Sequence, residues 1–334
     1  YRGYGNFGWQ ASYPETTGYI IPTFCALSDH LAEDEYLRRA LRMADWESDI
    51  QLENGAVTGS VVSAPMSPAV FNTGQVIFGW LEAYRKTNQE RYIESARRAS
   101  NYLLSVQDGD GAWRKGNSSF ALRDSTVYNT RVAWALIEFG SLCNDEKYIH
   151  AGIRNIEFAL KNQRGNGWYE NNCLNDPLNP LLHTIVYATR GVLESGMLMD
   201  RQDLIDRARK TMDRIAELQS LEGRIPGRIT SDWRPAAAWD CLTGNAQAAV
   251  AWLRLHAITR EEAYHRAARR AIDFLKKTQN RQHSNPGIRG GIKGSFPFDG
   301  PYGQFELLNW AAKFFCDALM MINDSELAAK GIRG

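Results

Sequence analysis

Gln51-Leu52-Glu53-Asn54-Gly55, Gln107-Asp108-Gly109-Asp110-Gly111, Gln163-Arg164-Gly165-Asn166-Gly167 and Gln219-Ser220-Leu221-Glu222-Gly223 share the pattern Gln-x-x-x-Gly, and their glutamines are spaced 56, 56 and 56 residues apart. A fifth glutamine, Gln279, follows after 60 residues, with its glycine displaced by an insertion. Fifteen residues before each glutamine stands Tyr36, Tyr92, Tyr148, Leu204 or Tyr264, so the register extends back through a whole helix. A fixed period of this length marks a repeat architecture, in which each unit buries its apolar face only against its neighbours.

Each unit reads as two helices. Carboxylates gather at the start of the second, as in Glu33-Asp34, Asn144-Asp145-Glu146 and Glu261-Glu262, where they favour the positive end of a helix dipole. Thr87-x-x-Glu90 and Thr259-x-x-Glu262 have the spacing of capping boxes. The second helix carries charge on one face, as from Arg91 to Val106, whereas the first is apolar nearly all round, as in Val76 to Tyr84, Val132 to Phe139 and Ala248 to Leu255. The expected fold is all-α: a single domain, an (α/α)5-6 toroid of helical hairpins with long rim loops. Its repeats fall at about 15–51, 72–107, 129–163, 183–219 and 243–279, with a closing inner helix at about 306–322 and an N-terminal arm at 1–13. No strands are expected.

Composition narrows the partners. Lys and Arg together number 39 against 38 Asp and Glu, a net charge of +1, which gives no bulk attraction for nucleic acid. A hydrophobic fraction of 44% supports a large core, yet no apolar run is long enough for a membrane span. The five cysteines, Cys25, Cys143, Cys173, Cys241 and Cys316, are odd in number and lack paired spacing, which leans towards free thiols and a reducing, cytoplasmic compartment. A chain that starts at Tyr1 leaves room for a preceding leader or helix.

Written out, Arg98-Ala99-x-x-Tyr102-Leu103-Leu104-x-x-Gln107-x-x-x-Gly111-x-Trp113 resembles the QW repeats of squalene cyclases and protein prenyltransferases, and Asn162-Gln163-x-x-x-Gly167-Trp168 is a looser second match. The resemblance implies an α/α toroid. It does not extend to those activities, because the Asp-x-Asp-Asp acid motif is absent and Asp240-Cys241 lacks the downstream His of the prenyltransferase zinc site. The rim linkers, with Trp168-Tyr169-Glu170-Asn171-Asn172, Trp233-Arg234 and the run from Arg289 to Tyr302, are more similar to those of carbohydrate-active toroids: polysaccharide lyases, uronyl hydrolases and sugar epimerases. Aromatic faces and forked donors suit sugar rings and carboxylates.

The period also locates a site. Counting back 32 residues from each glutamine lands on Tyr19, Gln75, Arg131, Tyr187 and Gln247, polar or amphipathic groups in otherwise apolar helices. Such a layer is costly in a dry core and is expected to line a pocket. Four residues earlier stand Glu15, Phe71, Val127, His183 and Thr243, and one further on Asn72 and Tyr128. His183, Tyr187 and Arg190, at i, i+4 and i+7, supply a proton carrier, a phenol and a carboxylate clamp. With Asn129 and Arg131 they suit β-elimination from a uronic acid. Trp168, Trp233, Asp240, Gln247, Arg289, Tyr302 and Glu306 join Glu15, Tyr19, Asn72, Gln75 and Tyr128 as expected substrate contacts.

Four alternatives stand beside the lyase. Two of Glu15, Asp124, Glu170, Asp240, Asp299 and Glu306 would serve as a hydrolytic acid and base, a C5-epimerase would use the same pocket, and a helical-repeat binding protein would need no chemistry. A purely structural reading makes His183 a cap, has Tyr187 pack and pairs Arg190 with Glu194. No metal or cofactor is expected, since the six histidines show no ligand spacing. The expected partner is an acidic poly- or oligosaccharide substrate, with no nucleic acid and no membrane span.

Overall fold

In a computed structural model the chain is described over residues 2–3 and 9–329, so most of the expected arm, residues 1 and 4–8, lies outside the described residues. Eleven α-helices occur among the described residues: α1 (Pro14–Leu31), α2 (Asp34–Asp49), α3 (Val70–Thr87), α4 (Glu90–Ser105), α5 (Thr130–Cys143), α6 (Glu146–Lys161), α7 (Leu182–Leu198), α8 (Gln202–Leu218), α9 (Leu242–Thr259), α10 (Glu262–Thr278) and α11 (Asn309–Ala329). The first ten follow the repeat, two helices to each copy, and α11 follows them singly. The chain divides into two compact units. The larger holds Ala11–Pro177 and Tyr187–Ala208; the smaller holds Leu178–Val186 and everything from Arg209 onward, together with a short strand at Arg2–Gly3.

Within the larger unit α1 packs on α2 and α3, α3 on α4 and α5, and α5 on α6. α3 carries no charge from Val70 to Leu81 and is buried at every position from 70 to 81, whereas α4 buries Tyr92, Ile93, Ala96, Ala99 and Leu103 and exposes Glu90, Arg91 and Glu94. Leu103 is wholly buried, so truncating it to Ala would cost about 2–5 kcal/mol. The first helices approach closely where the sequence supplies no side chain: a Cβ on Gly18 would meet Val76 Cα at 2.5 Å, and one on Gly74 would meet Val132 Cγ1 at 2.7 Å.

The Gln-x-x-x-Gly signature is a clamp. Gln51 Nε2 donates to Gly55 O (2.8 Å) and to Ser95 O in the next hairpin (2.9 Å), and Gln107 Nε2 donates likewise to Gly111 O (3.1 Å) and Ala151 O (2.9 Å). Gln163 reaches Arg207 O at 3.0 Å, and in the smaller unit Gln219 reaches Ala267 O at 3.0 Å. The glycine has two reasons to be there. Its φ is +86° at Gly55 and +90° at Gly111, and a Cβ would stand 2.3 Å from the carbonyl oxygens of Arg98 and Arg154 respectively. The recurrent tyrosines stitch successive second helices: Tyr92 donates to Asp45 (2.6 Å), Tyr148 to Asn101 (2.7 Å) and Tyr264 to Asp213 (2.6 Å).

Three expectations need correction. The capping boxes do not form, because Thr87 and Thr259 are the last residues of α3 and α9 and their hydroxyls donate back to Ala83 O (2.7 Å) and Leu255 O (2.9 Å). Strands do occur: Asp240–Cys241 pairs antiparallel with Ser295–Phe296, and Glu306–Leu307 with Arg2–Gly3. The closing helix accordingly starts at Asn309, since Phe305 at φ +57° and the strand at Glu306–Leu307 hold the preceding residues out of the helix. In the smaller unit α9 packs on both α10 and α11. All five cysteines are free, with Cys25, Cys173 and Cys241 buried. No described helix is long and apolar enough to cross a membrane.

Candidate functional site

The larger unit gathers a connected polar cluster beneath the start of α1. Tyr13 is extended (φ −120°, ψ 112°), as expected of a residue preceding proline, and Pro14 opens the helix. Thr16 and Thr17 fix this start by donating to Tyr13 O at 3.2 and 3.0 Å. The Tyr13 hydroxyl donates to Glu15 Oε2 at 2.8 Å and lies beside the side chain of Asn72, whose Nδ2 donates to Thr58 O at 3.1 Å. Burial pushes the Glu15 carboxyl up to about 7; the Tyr13 hydrogen bond and the charge of Arg131 pull it back only in part.

Arg131, 2% exposed on α5, donates from Nε to Gln75 Oε1 at 2.9 Å. Its guanidinium lies 5.1 Å from the ring centre of Tyr187, 5.4 Å from Trp134 and 5.7 Å from Phe78. Burial and the nearby charge of Arg190 lower it to about 10, which leaves it a cation at neutral pH. Phe71 packs between Tyr187 (5.2 Å) and Tyr128 (5.3 Å), and the Tyr128 hydroxyl donates to Asn117 at 2.5 Å. Fully buried polar atoms without a protein partner add to the cluster's polarity: Gln75 Nε2 and both side-chain polar atoms of Asn129.

Several expected residues therefore sit together here: Glu15, Tyr19, Asn72, Gln75, Tyr128, Arg131 and Tyr187, all but the half-buried Glu15 at most 6% exposed. Arg190 is in the same unit, but its Nε donates to Glu194 Oε1 at 3.2 Å, the pairing of the structural reading. Trp168 is 2% exposed and packs in the Gln163–Gly167 turn, which leaves no ring face for a sugar. Of the other candidate carboxylates of this unit, Asp124 is exposed and pairs with Arg114 at 3.3 Å, and Glu170 pairs with Arg164.

The smaller unit holds the rest. His183 is 6% exposed, and burial together with the charge of Arg228 lowers it to about 3, so its ring is neutral; it lies 4.9 Å from the Tyr302 ring, whose hydroxyl accepts from Trp310 Nε1 at 2.9 Å. Asp240 is 4% exposed and accepts from Arg224 Nε at 2.7 Å; burial raises its carboxyl in spite of that partner. Gln247 is 1% exposed, and neither its Oε1 nor its Nε2 has a hydrogen-bond partner. Trp233, held at φ +57°, is half-buried in its loop, Glu306 is half-buried in its strand, and Arg289 and Asp299 are exposed. His183 on one hand and Tyr187 with Arg190 on the other thus belong to different units, although α7 carries all three.

The repeat pattern points to neither Tyr13 nor Trp134. Tyr13 lies in the stretch expected to be an arm, although the order Tyr13-Pro14-Glu15 places an extended side chain next to the first-turn carboxylate. Trp134 stands three residues after Arg131 and was findable by extending the layer by one turn.

No family model matches the sequence, and a search of curated proteins finds no match. Solved structures do match. An unsaturated glucuronyl hydrolase specific for heparin superposes with a TM-score of 0.76 at 15% identity, covering 99% of this chain and 91% of that one. The unsaturated glucuronyl hydrolase responsible for glycosaminoglycan degradation from Bacillus sp. GL1 gives 0.73 at 13% identity, over 99% and 90% of the two chains. The cellobiose 2-epimerase of Bacillus thermoamylovorans gives 0.69 at 12% identity, over 92% and 87%. At such identities the likeness speaks for the backbone and not for the chemistry. The chain has the α/α-toroid fold shared by these sugar-processing enzymes, and no squalene-cyclase relationship is needed to account for its repeats.

Proposed function

We propose that the chain is a carbohydrate-active enzyme that hydrolyses an oligosaccharide bearing a uronic acid, with Glu15 as general acid and Arg131 as the group that holds the sugar carboxylate. The observation that carries this reading is a carboxyl raised to about 7 in the same cluster as a buried guanidinium that keeps its charge. At neutral pH Glu15 retains enough of its proton to give it to the departing oxygen. The glycosidic C–O bond breaks with its electron pair on that oxygen, water adds to the carbon, and the proton that water releases restores Glu15. Phe71, packed between Tyr128 and Tyr187, holds the aromatic wall beside Arg131 in place. The fold neighbours named for glucuronyl substrates support the substrate class.

Hydrolysis ranks ahead of β-elimination for two reasons. Arg190, the intended carboxylate clamp, is engaged by Glu194, and a histidine lowered to about 3 is a weak base for a C5 proton. A panel of uronic-acid and neutral oligosaccharides, followed both at the absorbance of the unsaturated uronate and by reducing-end assay, tests the proposal. New reducing ends without a rise in absorbance support hydrolysis, and a fall in absorbance with an unsaturated substrate does the same. A rise in absorbance restores the lyase, and no change with any uronic acid removes the substrate class.

A further inference from the structure

We infer that Tyr13 is a positioning residue for Glu15: by donating its hydroxyl proton to Oε2 it assigns the transferable proton to Oε1. The inference rests on the acid role proposed for Glu15. A phenol has one proton to give, and the 2.8 Å contact spends it on Oε2. The side chain of Asn72 stands beside the same hydroxyl and is itself anchored to Thr58 O, so its amide is held where it polarises the phenol towards Glu15. The direction is stable, because burial raises the Tyr13 phenol well above the usual tyrosine range and keeps it a donor. A protonated Glu15 then carries hydrogen on Oε1, since a proton on Oε2 would face the proton of Tyr13.

The backbone makes this possible. An extended residue followed by proline and a first-turn glutamate brings the side chains at i and i+2 together, and the two threonine bonds to Tyr13 O hold the ring's anchor still. The ionisable groups facing the pair are Arg131 on α5, Tyr128 just before it, and Tyr187 on α7, which lies beside Tyr13; α3 contributes the neutral Asn72. Of these only Arg131 favours the ionised form of Glu15, so the Tyr13 bond is the other force that keeps its titration near neutrality.

Tyr13→Phe deletes one hydroxyl and keeps the ring. The readout is the carboxyl 13C resonance of the full-length chain labelled at glutamate, with Glu15 assigned as the signal lost in Glu15→Gln. The loss of a donor to the carboxylate is expected to raise the Glu15 midpoint by roughly one unit. It is also expected to lower kcat about tenfold at little change in KM, and to move the alkaline limb of the rate profile upward. An unchanged midpoint, with or without slower turnover, overturns the inference. Should Tyr13→Phe fail to fold, Asn72→Ser removes the amide beside the Tyr13 hydroxyl and is expected to shift the midpoint in the same direction by less; no shift there overturns the inference as well. A raised midpoint in a chain that turns over no oligosaccharide keeps the proton assignment and removes the acid role.

Discussion

Each unit has a carboxylate near an arginine, and the two are built differently. In the smaller unit Asp240 accepts directly from Arg224 at 2.7 Å, and Arg224 in turn covers the Phe296 ring at 5.7 Å. In the larger unit Glu15 accepts from a phenol, and Arg131 acts on it as a nearby charge while its Nε is committed to Gln75. A direct ion pair draws a carboxylate towards its ionised form and commits it to structure, even where burial raises it as at Asp240. A neutral donor with a charge at one remove leaves the proton in play, which is the condition an acid catalyst needs near neutral pH.

The contrast is sharpest in turnover. Glu15→Gln is expected to lower kcat/KM about 10²–10⁴-fold, the usual contribution of a general acid, while Asp240→Asn stays within a few-fold of the parent in the same assay. Comparable losses in both variants would erase the distinction. Next in size is stability against pH. Glu15 is raised in the folded state, so its contribution is complete below the unfolded carboxylate value and is lost as pH rises through about 7. The parent is therefore expected to lose up to about 3 kcal/mol between pH 4 and 8 on this account, and Glu15→Gln to lose correspondingly less, as read by urea melts at both pH values. An identical slope in the two chains would show that Glu15 does not titrate as described.

A smaller effect is expected of the structural pair. Arg224→Ala leaves Asp240 buried with one partner fewer and is expected to cost about 1–3 kcal/mol, short of a fully buried pair because Arg224 is 42% exposed. Chemical denaturation at pH 7 measures this, and a neutral result would mean that water replaces the guanidinium. Smallest of all, Tyr187→Phe keeps the ring that packs on Phe71 and Arg131 and is expected to alter Tm by no more than a few degrees. A large loss of activity there, with Tm held, would return the phenol to the catalytic set.

The repeat made the helices legible and with them the part of the layer that lies in the larger unit. Arg131, Gln75 and Tyr187 were found by counting, because a period that fixes helix register also fixes which side chains share a level. The limits of that method are equally physical. Arg190 stands on the same helix as Tyr187, yet a glutamate one turn further on claims it, and spacing does not say which of two possible partners wins. The Thr87 and Thr259 boxes failed because the repeat packs a helix end and the next helix start into two residues, so the threonine is used by the helix it closes. Tyr13 lies before the first period begins, where there is nothing to count from. The strands at Asp240–Cys241 and Glu306–Leu307 are two residues long, too short to leave an alternating pattern.

The glutamine clamp also sets where this chain can tolerate change. From Gln51 to Gly55, and again from Gln107 to Gly111, the segment between the two residues is measured by a side chain of fixed reach, so a residue added there would pull the amide off the neighbouring hairpin. Beyond the glycine no such ruler applies. The fifth copy illustrates the exception: Gln279 Nε2 bonds Gly290 O at 2.6 Å, across an enlarged loop whose glycine keeps a positive φ of +77°. New recognition in a toroid of this design is thus free to arise downstream of each glycine, or inside the last loop, while the five-residue turns themselves stay the same length.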